Sequence, residues 1–375
     1  MPQIEYRMFF NNDPATREQL DRVEEITVEQ EADMAWEARI QIPICVDESG
    51  NWRDEDEDFM RSFSRVRVEI RNGEGPFVPL IDGPIVGYDS QKSSDPGESS
   101  ITLNVQDDSV YLNREERVSR FENMLDHEIA RQIFGEFEQI ASTDIEDTPP
   151  PSSTLPPVVV QRGTAMQILR SLARRQGMHA YVLPGEGPGQ SVGCFKPLPT
   201  ETGELPPLIL LGSERNIETF NVTNNAQRPS AVRASTLRIT DKGVITSTSS
   251  SSDVELLGEE GAFEESESEP ATQILPPYQG ESVDLDQAVL AEARNASYAF
   301  EATGDLRGQC YQGVLQPYGV VTVRAGNTRL SGDYLISKVT HTLARSNYSQ
   351  FFSLKRNARS SVSGTALDNL GGSIF

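Results

Sequence analysis

The sequence predicts a mainly β protein of the α+β class, with two related antiparallel β-barrel modules and an α+β insertion between them. Near the C-terminus, β-branched and aromatic residues recur at a period of two in three runs separated by Gly and Asn, at 320–327, 332–341 and 348–357. Such runs predict antiparallel strands. A matching series occurs earlier, at 66–73, 81–88 and 100–106. The repetition predicts two copies of one β module.

The first module is predicted to span residues 1–112, with opening strands at 6–10, 23–30 and 38–42. Asp13 followed by Pro14 suits the start of a short helix, because Asp caps helices and Pro is tolerated in the first turn. The acidic run 54–58 lacks the Gly and the closing Glu of a calcium loop, which favours a solvated loop.

The insertion is predicted over residues 113–206. Apolar residues three or four apart predict a helix at 115–137. A proline-rich stretch at 148–157 stops any helix. A second helix is predicted at 164–176, with Gly177 as its C-terminal cap. A hairpin at 179–183 and 192–195 follows.

The second module is predicted over residues 207–248 and 284–358, with a helix at 285–300. Residues 249–283 are rich in Ser and Glu, a composition that buries too little apolar surface to offset its ordering entropy. We therefore expect an acidic exposed loop there. The tail 359–375 is predicted to be flexible until a partner receives it.

Charge and hydropathy narrow the function classes. The chain carries 57 acidic and 33 basic residues, a net charge of −24. Such a field repels nucleic acid, so no specific nucleic-acid binding is expected. No apolar run approaches the roughly 20 residues that span a bilayer, so no membrane insertion by this chain is expected. The N-terminus shows no secretory signal, which predicts assembly in the cytoplasm.

No cofactor or metal site is predicted. Three cysteines stand far apart without metal-ligand spacing and are interpreted as small hydrophobes, buried or semi-buried: Cys45, Cys194 and Cys310. The histidines His127, His179 and His341 also stand alone rather than in a ligand-spaced cluster. His341 lies in a predicted strand and is interpreted as a structural residue. The glycine-rich stretch 185–189 lacks the spacing of a dinucleotide site and is interpreted as a turn.

The order of these strands resembles one known family. The closing strands, from Gly332 to Asn357, and the opening segments 6–10, 23–30 and 38–42 are similar to those of the phage late-control D family. That family forms the baseplate hub of contractile phage tails and of related contractile injection systems. The resemblance implies two tail-tube-like barrels with a small domain between them.

The resemblance also implies a function. A homotrimer of such chains places six similar modules around one axis, which joins a sixfold tail tube to a threefold spike. The implied partners are a tail tube protein or tube initiator, a spike protein and baseplate wedge proteins. The implied location is the baseplate of a virion or injection particle, and the implied role is structural rather than enzymatic. Five residues are the predicted contacts for trimer, tube or spike: Tyr334, Tyr348, Phe352, Ile374 and Phe375.

Two other functions stay open at the level of sequence. One is a tail-associated peptidoglycan hydrolase with its site in the 113–206 insertion, since some phage hubs and spikes carry such a domain. Acidic residues are so plentiful in the chain that a pair of carboxylates is no evidence for hydrolysis by itself. The other is a host-binding adhesin, which the internal duplication disfavours. The sequence does not distinguish a bacteriophage from a phage-derived injection system.

Overall fold

The computed structural model describes residues 4–53, 57–150, 158–237, 242–264, 271–276, 284–306, 310–344 and 347–361. These residues form a mainly β structure of large antiparallel sheets, as predicted. None of the helices in these ranges is long and apolar enough to cross a bilayer.

The helices in the described ranges are short and few, and they separate groups of strands. They are α1 (Arg17–Arg22), α2 (Ser109–Leu112), α3 (Asp126–Phe134), α4 (Ala165–Gln176) and α5 (Leu285–Ser297). The strands before α3 are β1 (Ile4–Phe10), β2 (Asp13–Pro14), β3 (Glu25–Glu31), β4 (Glu37–Pro43), β5 (Cys45–Val46), β6 (Trp52–Arg53), β7 (Arg65–Asn72), β8 (Val78–Gln91), β9 (Ser100–Gln106) and β10 (Glu116–Glu122).

The later strands follow in chain order. They are β11 (Ile140–Ile145), β12 (Val158–Thr164), β13 (His179–Pro184), β14 (Ser191–Lys196), β15 (Leu208–Ile209), β16 (Asn221–Asn224), β17 (Ala231–Leu237), β18 (Val244–Ser250), β19 (Glu260–Gly261), β20 (Thr272–Ile274), β21 (Phe300–Asp305), β22 (Val320–Arg324), β23 (Gly332–Ala344), β24 (Asn347–Arg356) and β25 (Ala358–Arg359).

One 13-stranded sheet contains both modules. Its order is β16-β21-β24-β23-β3-β4-β9-β8-β7-β1-β2, with β22 on β23 and β15 on β22. We call β1 to β4 and β7 to β9 module 1, and β15, β16 and β21 to β24 module 2. The sheet passes from one module to the other where β3 pairs with β23, a pairing we call the inner seam. In the described part of the chain, the strand order is an open path that closes neither module into a complete barrel.

The two modules share a frame of five antiparallel strands. In module 1 the order is β3-β4-β9-β8-β7, and in module 2 it is β16-β21-β24-β23-β22. In both frames the long fourth strand has a bulge against its neighbour, at Val86 in β8 and at Ser337 in β23. A bulge bends a strand and strengthens its twist, which lets the sheet curl. The duplication predicted from the sequence is therefore present in strand order, direction and bulge position.

Each module has its own apolar core. Alternate residues of its strands point inward, as the burial of Ile26, Val28 and Gln30 on β3 illustrates. Module 1 buries a large aliphatic cluster with Trp36 and Phe10, and module 2 buries a smaller one around Tyr334 and Phe352. Because alternate side chains of a strand point to opposite faces, one buried and one exposed face produce the period-two pattern seen in the sequence.

The insertion, β10 to β14 with α3 and α4, has a core of its own. The prediction of α4 is confirmed: Thr164 caps its first turn, and Gly177 ends it with φ at +68°. The predicted hairpin is confirmed as β13 and β14. The helix predicted at 115–137 was wrong in its first half, which is β10. There Val118 and Phe121 satisfy the helical spacing by coincidence, and β10 pairs with β12.

Two further segments differ from the prediction. Strands β17 and β18 do not join module 2 but form a separate three-stranded sheet with β20, which packs on α5. The Ser/Glu-rich segment also contributes β19, β20 and buried residues such as Leu257 and Leu275. The few apolar residues of this otherwise polar segment, such as Leu257 and Leu275, are buried and fix its described parts to the rest of the chain. The stretches 265–270 and 277–283 lie outside the described residues.

Smaller corrections concern the first helix and the cysteines. Helix α1 is capped by Thr16, while Asp13 and Pro14 form β2. Cys194 is buried as predicted, but Cys45 and Cys310 are exposed, so the interpretation of these two as buried hydrophobes was wrong. Cys45 lies on a two-residue strand after the buried part of β4, beyond the reach of the core.

Candidate assembly interface

The inner seam joins the modules over seven antiparallel residue pairs, from Lys338 opposite Glu31 to Ala344 opposite Glu25. On both strands every second side chain is buried, including Val339, His341 and Leu343 on β23. The seam is thus both a hydrogen-bonded ladder and part of a packed core. The two modules are held as one body by this pairing.

A buried polar chain crosses the inner seam. The Nδ1 atom of His341 is 2.9 Å from the Tyr348 hydroxyl, and its Nε2 atom is 3.1 Å from Oε1 of Gln30. Gln30 in turn donates to the carbonyl of Leu80 at 2.7 Å. Burial lowers the pKa of His341 to about 3, so the imidazole is neutral at physiological pH. This agrees with the interpretation of His341 as a structural residue.

A surface ion pair lies on the other face of the same seam. Lys338 Nζ is 3.2 Å from a carboxylate oxygen of Glu29 and 3.2 Å from one of Glu31. The hydrogen bond to Glu29 contributes most to raising the pKa of Lys338. Because the group is largely solvated, this contact selects the register more than it adds stability.

Three of the predicted contact residues lie in the core of the chain. Tyr334 and Phe352 pack in module 2 and Tyr348 against module 1, with exposures of 0%, 0% and 2%. Their side chains therefore face inward, and contacts on the outside of β24 would come from neighbours such as exposed Phe351. Ile374 and Phe375 lie outside the described residues.

Two strand segments contrast with the inner seam. Residues Gly87–Gln91 of β8 pair with β9 on one side only, and β16 pairs with β21 only, as far as the described residues go. From Tyr88 to Gln91 every residue is exposed, with Tyr88 at 60%. Three of the four residues of β16 are exposed as well. We call these two segments the outer edges.

A buried ionic cluster docks the insertion onto module 1. Arg67, with its side chain 2% exposed, contacts Glu69 at 2.6 Å and Asp82 at 2.9 Å. The same guanidinium donates to the carbonyls of Gly185 and Gly187 in the β13–β14 turn, at 2.8 and 3.1 Å. The predicted turn is thus confirmed, and its backbone is held by an arginine from another domain.

Two consecutive aspartates follow β9, and the second of them, Asp108, joins this cluster through Arg65. Asp108 accepts from Arg65 at 3.0 Å and from the Ser191 hydroxyl at 2.7 Å. Asp107 accepts from the backbone of Trp36 at 2.6 Å and of Ser109 at 2.9 Å. Burial raises the pKa of Asp107 to about 6, because no cation lies against it among its described contacts.

Module 2 has a corresponding docking point of opposite charge. Arg356 donates to the carbonyls of Leu257 and Ser331, at 3.1 and 3.0 Å. Asn357 donates to the carbonyl of Glu255 at 2.8 Å and accepts from the backbone of Leu257 at 2.9 Å. Both side chains are buried. They hold the chain that leads from β18 back to α5.

A cavity of about 550 Å³ lies where module 2, α4 and the segment after α5 meet. Its wall carries both charge signs, and several of its polar side chains are paired: His179 Nδ1 lies 2.6 Å from a carboxylate oxygen of Asp33, and Arg228 forms an ion pair with Glu301 at 3.5 Å. This mixed wall does not select one class of ligand. Across the described ranges, no group of three or more His, Cys, Asp or Glu side chains could hold a metal ion.

The fold is shared with phage tail proteins. A tail protein from Neisseria meningitidis superposes with a TM-score of 0.64 at 14% identity, covering 94% of this chain and 96% of that one. The 43 kDa tail protein of prophage MuSo2 from Shewanella oneidensis gives 0.65 at 15%, with coverages of 94% and 98%.

An Escherichia coli component of the type VI secretion system, described as structurally similar to the T4 tail proteins gp27 and gp5, is also similar. Its TM-score is 0.53 at 12% identity, with coverages of 96% and 80%. No protein-family model and no curated protein matches the sequence. The chain therefore has a tail-protein fold, and at these identities the likeness establishes the fold alone.

Proposed function

We propose that this chain is the structural hub of a baseplate, in which three copies form a ring of six β modules. The observation that carries the proposal is the duplicated frame, since β3-β4-β9-β8-β7 and β16-β21-β24-β23-β22 share order, direction and bulge position. Two similar modules per chain give a threefold assembly six similar positions. Such a ring matches a sixfold tube on one face and a threefold spike on the other.

The partners of this hub are a tail tube protein or tube initiator, a spike protein and the surrounding wedge proteins. Its place is the baseplate of a contractile phage tail or of a related injection system, assembled in the bacterial cytoplasm. The shared fold with the tail proteins of Neisseria and Shewanella supports this placement. The proposed role is mechanical rather than enzymatic, because the buried polar groups described above bind one another and hold domains together.

Counting subunits tests the proposal. Quantitative mass spectrometry of sedimented tail-like particles is expected to give three copies of this chain per particle, equal to the spike. A copy number in the tens would point to a tube subunit instead. A zymogram on peptidoglycan tests the hydrolase alternative, and the hub proposal expects no clearing.

The C-terminal contact stays part of the proposal. Ile374 and Phe375 are proposed to contact the spike, in a tail that is otherwise rich in Ser and Gly. Deletion of Asn369–Phe375 is expected to reduce spike retention on purified particles. Unchanged retention would remove this contact while leaving the hub itself in place.

A further inference from the structure

We infer that neighbouring copies join through their outer edges, with Gly87–Gln91 of β8 in one copy pairing with β16 of the next. This inference rests on the proposed ring and names the strands that close it. It makes the seam between copies a repeat of the inner seam within each chain.

The strands at the outer edges have equivalents at the inner seam. The bulges align Ile85 with Ile336 and Gly87 with Lys338, so the second half of β8 corresponds to the second half of β23. Strand β16 corresponds to β3. Strand β16 pairs with β21, which pairs with β24, and β3 pairs with β4, which pairs with β9, the equivalent of β24. All these pairings are antiparallel.

The equivalent strands differ in how many neighbouring strands they have. The second half of β23 has β24 on one side and β3 on the other, and its inward side chains are buried. The corresponding half of β8 has β9 on one side, and no other strand of the described chain covers the opposite side. Likewise, β3 lies between β23 and β4, whereas β16 has only β21. The β8 edge thus lacks a partner equivalent to β3, and β16 is the equivalent of β3. In the same way β16 lacks a partner equivalent to the second half of β23, and the β8 edge is that equivalent.

Equivalence also fixes the register between copies. Within the chain, Glu29 lies opposite Thr340 and Val28 opposite His341. The frames align Thr223 with Glu29 and Asp89 with Thr340, which places Thr223 opposite Asp89. The complete expected set is Asn221 with Gln91, Val222 with Ser90, Thr223 with Asp89 and Asn224 with Tyr88.

The chemistry of the two edges suits a copy of the same chain. The four residues of β16 are uncharged, and Asp89 is the one ionisable carboxylate among Gly87–Gln91, so no like charges oppose each other. Unpaired strand edges expose backbone donors and acceptors that another strand satisfies. Because the two edges differ, the contact is head-to-tail, and such contacts close into a ring when the rotation per copy divides a full turn. Because each copy contributes two modules, six equal rotations of about 60° from module to module complete the ring with three copies.

A disulfide pair tests the register directly. Two chains are prepared without their exposed thiols, as Cys45→Ser and Cys310→Ser, one carrying Asp89→Cys and the other Thr223→Cys. The mixture is oxidised and run on a non-reducing gel. We expect a covalent dimer in the mixture and at least a fivefold lower yield from either chain alone. The matched control replaces Asp89→Cys with Ser90→Cys, whose side chain points to the other face.

The outcomes separate this inference from the proposed function. Trimers by native mass spectrometry with equal, low cross-linking of both pairs would overturn the seam and leave the hub standing. A single copy of this chain per assembled particle, or a chain that stays monomeric in solution, would contradict both the seam between copies and the proposed hub. A dimer that forms with Asp89→Cys and at least fivefold less with Ser90→Cys supports the seam in the stated register.

Discussion

The two modules use the same position for opposite chemistry. Residue Gln106 of β9 and Lys355 of β24 are equivalent in the frames, so Asp107 and Asp108 correspond to Arg356 and Asn357. In module 1 both residues of the pair accept hydrogen bonds, and Asp108 binds the insertion through Ser191 while it also accepts from Arg65 of β7. In module 2 the pair donates to the carbonyls of the segment before α5.

This difference shows that the frame fixes where an inserted segment docks, while the local groups decide the charge. The chain is buried just after β9 in module 1 and at the end of β24 in module 2, so any polar side chain at these positions requires a partner. Module 1 pairs Asp108 with Arg65 and satisfies Asp107 with backbone N–H groups. Module 2 surrounds its arginine with backbone oxygens. Mutation can break each docking point separately, and then each of the two kinds of strand contact.

Breaking the module 1 cluster has the largest expected effect. Arg67→Met leaves Glu69 and Asp82 buried with one cation fewer and frees the carbonyls of the 185–187 turn. Removing one partner of a buried ion pair costs about 3–5 kcal/mol. We expect this loss in the free energy of unfolding, measured by urea titration. Arg61→Met is the control, since its ion pair with Asp58 is 75% and 87% exposed, and it should change little.

Breaking the module 2 docking point should cost less. Arg356→Met leaves carbonyl oxygens unpaired rather than carboxylates, and hydrogen bonds to a charged group are worth about 1.5–3 kcal/mol. The same urea titration, with limited proteolysis around residues 255–264, measures the effect. A larger loss of stability in Arg356→Met than in Arg67→Met would contradict the conclusion that the module 1 cluster contributes more to stability than the module 2 docking point.

The inner seam gives the protein a pH dependence through His341. Its pKa is lowered to about 3 in the fold, so the unfolded chain takes up a proton first as pH falls below about 6.5. Stability from this group is complete above that pH and is lost on acidification by about 1.4 kcal/mol per pH unit. Asp107 acts in the opposite direction, because its pKa of about 6 makes the folded chain hold a proton longer.

A mutant comparison isolates the histidine. The difference in unfolding free energy between pH 7.5 and pH 4.5 is measured for the wild type and for His341→Gln, which keeps a polar group beside Gln30. We expect a smaller acid loss in the mutant, although its stability at pH 7.5 is lower. Equal acid losses in both proteins would contradict a neutral buried His341.

The smallest effects belong to the outer edges. Thr223→Asp places a carboxylate opposite Asp89 of the next copy, and Thr223→Lys places a cation there. Cross-strand charge pairs are worth about 0.2–1 kcal/mol each, with the sign set by the charges. Trimer dissociation measured by dilution is expected to be easier for Thr223→Asp and harder for Thr223→Lys. The same order at high salt, without weakening, would argue against a direct pair.

Much of the frame could be predicted from the sequence, because half-buried strands alternate and turn residues separate them. Helix α4 could be predicted because Thr164 and Gly177 mark its ends. The ionic cluster could not. Arg67 and Glu69 alternate with Val66, Val68 and Ile70, a pattern that predicts a solvated outer face.

That outer face is covered by the insertion, which is more than 100 residues away in sequence. No local pattern reports such a contact, because it depends on how two domains pack. The same limit applies to the predicted contacts Tyr334, Tyr348 and Phe352. Their aromatic character was visible, but alternation alone does not distinguish a residue buried in its own module from one buried by a neighbour.

Cryo-electron microscopy of the purified protein, reconstructed without imposed symmetry, tests the central claim most directly. Three copies of the 41.4 kDa chain are expected in one ring, with modules 1 and 2 alternating around the axis and β8 of each copy beside β16 of the next. A ring with another copy number, or an assembly in which the modules do not alternate, would contradict the account.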